Sequence, residues 1–161
     1  MNEISRIKTP IGILEVRTNK KGVYQVHLTP DMEAWEQETP PGKRSIIMNQ
    51  VLKELQEYFT GNRRCFTVPL DLDMPPFYKK ALVEVSKVPF GKTSSYQEIA
   101  RRAGNAKAAR AAGTANANNP IAIIIPCHRI VSSDGTLGGY GGGLDKKMIL
   151  LEHEGVNITL Q

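Results

Sequence analysis

Residues 121–130 read IAIIIPCHRI, and the fold of the second half of the chain turns on them. Ile121, Ala122, Ile123, Ile124 and Ile125 form an apolar, mostly β-branched run with no polar alternation. Such a run suits a short strand buried on both faces. Proline has no N–H to give a sheet ladder, so the strand is expected to end at Pro126. Cys127, His128 and Arg129 then arrive together at its mouth. Arg129, and His128 when protonated, would favour the thiolate, the reactive form of cysteine. Taken alone, the triplet has two readings. One is a buried structural cysteine beside a surface His-Arg pair, since free cysteine is among the most buried residue types. The other is an activated nucleophile, and the flanking sequence favours it.

Upstream, residues 93–119 read TSSYQEIARRAGNAKAARAAGTANANN. Ser94 with Gln97, or Ser95 with Glu98, fits a capping box that starts a helix and puts Tyr96 in or beside its first turn. Gly104 can end that helix, and Asn105 can cap a second one over the strong helix formers Ala106 to Ala112. Two short helices joined by a Gly-Asn turn predict a helix-turn-helix. Beyond Lys107 and Arg110 the second helix is nearly all alanine and glycine. It has no Asn/Gln/Glu array to read base edges in a major groove. A smooth helix of this kind can approach a nucleic-acid backbone or minor groove with one arginine projecting. It can equally be an alanine-rich packing helix with Arg110 facing solvent.

Downstream lies a glycine-rich loop, Gly138-Gly139-Tyr140-Gly141-Gly142-Gly143. It contains neither G-x-G-x-x-G nor GK[ST], which argues against a dinucleotide or triphosphate site. Its glycines either let backbone N–H groups come close to a flat ligand or make a plain connection. Leu144 to His153 is predicted as a last helix with Leu144, Met148 and Leu151 inward, stopped by Gly155. A carboxylate at a helix C-terminus is disfavoured by the macrodipole. Glu154 is therefore either frayed and exposed or matched by a basic group, for which His128 is the candidate.

The first half carries less visible chemistry. Residues 11–28 predict two strands around the turn Asn19-Lys20-Lys21-Gly22. Residues 31–43 are polar, contain Pro40, Pro41 and Gly42, and read as a loop. From Ser45 a helix is expected with Ile47, Val51, Leu55 and Tyr58 on one face, ending at Gly61. Phe66, Val68, Leu70 and Leu72 alternate as an edge strand, since Pro69 interrupts the ladder. Residues 1–72 thus form one small α/β domain. Asp73 to Pro76 links it to a second domain, residues 73–161, whose first helix follows Phe77, Ala81, Leu82, Val85 and Val88. His27 is structural or superficial, and Cys65 structural or incidental.

The 161 residues hold two cysteines, which fits a reducing compartment better than a disulfide framework. No Cys/His spacing suggests zinc. No apolar run is long enough to span a membrane, and the N-terminus lacks the layout of a secretory signal. Residues 1–75 hold 10 Lys and Arg against 10 Asp and Glu, whereas residues 76–161 hold 11 against 6. All of the net charge of +5 therefore sits in the half with Cys127. That is the footprint of a polyanion partner, or of a solvated basic face.

Residues from about Phe77 to Gly155 resemble the methylated-DNA-protein-cysteine methyltransferases, also called O6-alkylguanine-DNA alkyltransferases. The likeness rests on PFGKTSSYQEIA, AGNAKAARAAG, NNPIAIIIPCHRI, the GGYGGGL loop and LLEHEG, in family order and spacing. TPIGILEV and GVYQVHL look like the family's ribonuclease-H-like first domain. The resemblance implies an α/β protein with that domain followed by a mostly helical one holding the helix-turn-helix and a short active-site strand. It implies a cytoplasmic repair enzyme, nuclear in a eukaryote, that acts on double-stranded DNA containing O6-alkylguanine; whether O4-methylthymine is a second substrate stays open. No cofactor, metal or membrane is implied, and a monomer is expected.

Roles follow by the same resemblance. Cys127 would accept the alkyl group once, irreversibly. His128 would draw off the thiol proton through a bridging water, and Glu154 would orient His128. Asn119 would brace the turn before the active-site strand. Tyr96 would help rotate the nucleotide out and donate a proton toward the leaving guanine, and Arg110 would fill the gap. Ser95, Lys107 and Ala109 would join Arg110 and Tyr96 on DNA. Arg129, Ile130, Tyr140 and Gly141 would line the guanine pocket. Gly141 stands where serine is common in the family, and Ala106 where proline is common. Cys127 is retained, unlike in the family's non-catalytic branch.

Overall fold

The computed structural model describes residues 2–29 and 36–157, and the chain divides into two units, Met1–Leu72 and Asp73–Gln161. In the first unit, β1 (Glu3–Thr9), β2 (Gly12–Thr18) and β3 (Val23–Leu28) form an antiparallel sheet in that order. Successive side chains on a strand point to opposite faces. Leu14 and Val16 are therefore buried on one face, paired with Leu28 and Val26. Glu15 lies on the other face, directly opposite Arg6. Arg6 and Arg17 approach its carboxylate to 2.9 and 2.8 Å. The expected hairpin is the β2–β3 pair. β1 is an addition that hydrophobic alternation does not mark: Ser5, not an apolar residue, fills the buried position opposite Val16.

α1 (Ile46–Phe59) starts where Ser45 caps it, the hydroxyl accepting from the Met48 N–H at 3.1 Å. Its buried stripe is Met48, Val51, Leu55 and Tyr58, so it begins at Met48 rather than Ile47. The alternating run Phe66–Leu72 does not become a strand. It meets β3 at a single bridge, Val23 to Leu70. Pro69 has no N–H, and the N–H groups of Thr67 and Val68 go instead to the buried Glu54 carboxylate on α1, at 2.8 and 3.2 Å. Gly22 permits the close approach to β3, since a Cβ there would lie 2.4 Å from the Pro69 carbonyl oxygen. Of the loop expected over 31–43, residues 31–35 lie outside the described residues, and Pro41–Lys43 form one 3-10 turn.

The second unit begins with α2 (Pro76–Ser86), which buries Ala81, Leu82 and Val85. After a turn come β4 (Ser94–Ser95), α3 (Tyr96–Arg102) and α4 (Ala109–Ala117). Ser95 caps α3 by accepting from the Glu98 N–H at 3.1 Å. The Glu98 carboxylate turns to Arg101 and Arg102 rather than back to the cap. α4 starts later than its composition suggests. Asn105 Oδ1 accepts from the Lys107 N–H at 3.1 Å and Ala108 N–H bonds the Asn105 carbonyl, which makes a separate turn first.

The largest departure lies in residues 121–126, where turns over residues 122–124 and a bend at Ile125 replace the expected strand. Ile123 adopts a φ of 71°, a conformation costly for a β-branched residue. Two hydrogen bonds from one side chain account for it. Asn119 Nδ2 donates to the Ile125 carbonyl at 2.8 Å, and its Oδ1 accepts from the Ile121 N–H at 3.0 Å. The amide supplies at both ends what a neighbouring strand would have supplied. The expected burial is nevertheless present: Ile121, Ile123 and Ile125 are at most 1% exposed. The strand comes later, as β5 (Ile130–Val131), parallel to β4. α5 (Leu144–His153) buries Lys147, Leu150 and Leu151, while Leu144 is 47% exposed. The expected inward set of Leu144 and Met148 is thus displaced by Lys147 and Leu150. No helix among the described residues is long and apolar enough to cross a membrane.

Candidate active site

Cys127 opens the 3-10 turn Cys127–Arg129, which hands the chain from the Ile-rich turns to β5. Its N–H donates to the Ile125 carbonyl at 2.8 Å. Its own carbonyl accepts from the Ile130 N–H and from Asn116 Nδ2, the latter at 3.1 Å. Asn116 is a buried polar residue on α4 that sequence reasoning did not single out. The Cys127 residue is 6% exposed. Burial pushes the thiol pKa up, against a hydrogen bond from the Asn119 side chain and the charge of Lys147. The group is therefore a thiol at neutral pH, not a standing thiolate.

His128 is fully buried. Its Nε2 donates to Glu154 Oε2 at 2.7 Å. A carboxylate only accepts, so this bond places the ring proton on Nε2 and leaves Nδ1 as an acceptor. Nδ1 has no hydrogen-bond partner among the described residues. Burial lowers the His128 pKa, with Glu154 working in the opposite direction. The ring is accordingly neutral and able to take a proton. Glu154 is held in turn by Arg129, whose Nε and Nη2 donate to it at 2.7 and 3.0 Å. The same guanidinium donates from Nη1 to the Val88 carbonyl at 2.6 Å and lies 5.8 Å from the Phe90 ring centroid.

Two expectations are corrected here. Arg129 is not the cation that favours a thiolate, nor a wall of the pocket; it is buried on Glu154 and α2's end. Ile130 is fully buried, and its N–H and carbonyl are bound to Cys127 and Lys147. The cation that acts on Cys127 is Lys147. Its ammonium donates to the carbonyls of Ile130, Leu137 and Gly139 at 2.6, 2.5 and 3.1 Å. Burial lowers its pKa to about 8. The clue was present in the sequence: Lys147, Leu150, Leu151 and Glu154 share one helical face, so turning Glu154 toward His128 turns Lys147 inward.

A cavity of about 760 Å³ adjoins these residues, lined by Tyr96 of α3, by one face of α4 and by Gly138 to Gly141. Ala109 and Arg110 line it, and Arg110 is exposed; Lys107 is exposed but outside the lining, and Ser95 stays at its cap. Tyr96 is half-buried. Burial raises its pKa, the Gly139 N–H donating to its hydroxyl opposes this, and a thiolate at Cys127 would raise it further. Tyr140 responds to Cys127 in the same sense. Among the described residues no group of His, Cys, Asp and Glu is arranged to hold a metal. The arrangement joins a buried thiol, a neutral imidazole with a free acceptor nitrogen, a carboxylate orienter and a phenol at the edge of a cavity floored by glycine. That set suits nucleophilic attack by sulfur with proton withdrawal on one side and proton supply on the other.

Residues 4–72 match the family described as 6-O-methylguanine DNA methyltransferase, ribonuclease-like domain. Residues 76–156 match the family described as 6-O-methylguanine DNA methyltransferase, DNA binding domain. The chain is 38% identical to the methylated-DNA-protein-cysteine methyltransferase of Mycolicibacterium paratuberculosis, covering 99% of each chain. It is 46% identical to the protein of that name from Mycobacterium leprae, covering 91% of this chain and 88% of the relative. Its fold is similar to the crystal structure of Mycobacterium tuberculosis OGT in complex with DNA. That likeness has a TM-score of 0.82 and 37% identity, covering 92% of this chain and 90% of the other.

Proposed function

The chain belongs to the 6-O-methylguanine DNA methyltransferase family, and on that premise we propose that it repairs alkylated DNA by moving the alkyl group from guanine O6 to Cys127. The S–C bond forms as the O6–C bond breaks, leaving a thioether on the protein and an unmodified guanine. A water bridging Cys127 Sγ and His128 Nδ1 carries the thiol proton to the imidazole. Successive residues of a 3-10 turn project about 120° apart, which favours that bridge over direct contact. Glu154 stabilises the imidazolium that results, and Tyr96 gives the leaving guanine its proton. A thioether is cleaved neither by water nor by thiol exchange, so each molecule acts once.

The O6 alkyl group is out of reach in a stacked duplex, so the nucleotide leaves the stack. Arg110, exposed on α4 at the cavity edge, supports a role in filling the gap. Lys107, Ser95 and Ala109 join it on DNA, and the backbone near Tyr140 and Gly141 takes the extruded base. The observation that carries this reading is the buried 2.7 Å bond from His128 to Glu154 immediately after Cys127. An ordinary surface pair would have no reason to be fully buried beside a buried thiol.

The test uses a duplex with one O6-methylguanine bearing a labelled methyl group. Label should enter the protein and stop near one methyl per molecule, and Cys127→Ser should take none. Tight binding of the duplex without label transfer by the intact protein would sink the alkyl-acceptor reading in favour of a damage-binding protein.

A further inference from the structure

Among the described residues of the second unit, Lys147 is the one fully buried cation to which the mechanism gives no part. Placing an ammonium out of water is costly unless its hydrogens are all bound. Lysine has three donors, and here each finds a carbonyl: Ile130, Leu137 and Gly139. A leucine or methionine of similar volume would pack at this site without desolvating a charge. What the ammonium adds is convergence, drawing together the start of β5 and a loop that lies seven and nine residues further on.

The position of the two loop carbonyls matters. Leu137 and Gly139 flank Gly138, which has a φ of 70° and lies against Tyr96. A Cβ on Gly138 would sit 2.6 Å from the Tyr96 hydroxyl oxygen and 2.9 Å from Cε2. The next residue, Gly139, donates its N–H to that hydroxyl. Gly138 and Gly139 also line the cavity with Tyr96. One ammonium thus grips the loop on both sides of its contact with the tyrosine. Arginine could not replace it, because a planar fork does not fit three converging acceptors.

We infer that Lys147 is a positioning residue for alkyl transfer, its ammonium holding the glycine-rich wall of the cavity against Tyr96. The inference rests on the reading of Cys127 as alkyl acceptor. A misplaced wall leaves duplex binding by α4 intact but misaligns the extruded base and the phenol. Errors near 1 Å in such alignment cost roughly 100-fold in rate.

The experiment compares the full-length protein with Lys147→Met, Lys147→Arg and Gly138→Ala. Amide hydrogen exchange is followed over residues 137–141 without DNA, and single-turnover methyl transfer at saturating duplex. Lys147→Met should raise exchange over 137–141 by about tenfold or more with α2 and α3 unchanged. Its saturating transfer rate should fall about 100-fold, while its duplex Kd stays within about threefold of the original, under 1 kcal/mol. Lys147→Arg should not restore the rate. Unchanged exchange over 137–141, or a saturating rate within about threefold of the original, overturns the inference. If Lys147→Met does not fold, Gly138→Ala decides: it keeps the ammonium, breaks the Tyr96 contact, and should lose rate at saturation without losing affinity. If the unaltered protein takes no methyl, the acceptor reading has failed, and the exchange comparison still decides whether Lys147 holds the wall.

Discussion

A thiol whose pKa is pushed up by burial cannot rely on a standing thiolate, so removal of its proton belongs to the reaction. His128 serves as base only while neutral, and burial keeps its pKa below the ordinary value near 6.5. Single-turnover transfer should therefore hold level as pH falls to about 6.5 and decline only below it. Glu154 acts against burial, so Glu154→Gln should move that decline to still lower pH and reduce the plateau by about 100-fold or more. A decline that moves upward in Glu154→Gln would contradict the assignment of His128 as base. Stability follows the same residue. Between the folded and unfolded pKa of His128 the unfolded chain holds the extra proton, so stability rises with pH through that window. It should be lost as pH drops from about 6.5, which urea unfolding across pH measures.

At the scale of elements, the Ile-rich segment shows what composition conveys and what it does not. Five apolar residues before Pro126 correctly imply burial, because removal from water does not depend on backbone shape. They do not imply a strand, because shape here is decided by Asn119, a residue outside the run. The helices were legible for a related reason: Ser45 and Ser95 cap their helices locally, within three residues. The Phe66–Leu72 run failed as a strand for lack of a local cue, since its N–H groups go to Glu54, more than ten residues away. Lys147 was missed because its stripe had been phased on Leu144. Asn119→Ala should accordingly strand the Ile121 N–H and leave the Ile125 carbonyl with the Cys127 N–H alone. The expected cost is about 1 to 3 kcal/mol, from one donor left unpaired and one acceptor left with a single partner. Urea unfolding should show it, with transfer impaired even in the folded fraction. Asn119→Asp keeps the acceptor for Ile121 but sets a carboxylate against the Ile125 carbonyl, so it should be no milder. An alanine variant as stable as the original would mean that the turns hold themselves.

For the whole molecule, the uneven charge makes a quantitative demand. Residues 1–75 carry balanced charge, and residues 76–161 carry the entire excess. Binding to a duplex that proceeds by releasing counterions weakens with salt, log K falling by about 0.9 for each phosphate neutralised per unit of log salt. If the second unit makes the contacts, the slope is a property of its cations alone. Lys107, exposed in the turn between α3 and α4, is a proposed phosphate contact. Lys107→Gln should lower the slope by about 1 and weaken binding to damaged and undamaged duplexes alike. Lys20 and Lys21, exposed in the β2–β3 turn of the first unit, offer the counter-test. Lys20→Gln with Lys21→Gln removes twice the charge and so alters the long-range field of the molecule more. Yet it should leave the slope unchanged, because the slope counts only the cations that neutralise phosphates. The discriminating measurement is duplex affinity across a salt series for the three proteins. A slope that falls in the double variant and not in Lys107→Gln would place the duplex on the first unit and remove the cavity beside α4 from any role in holding DNA.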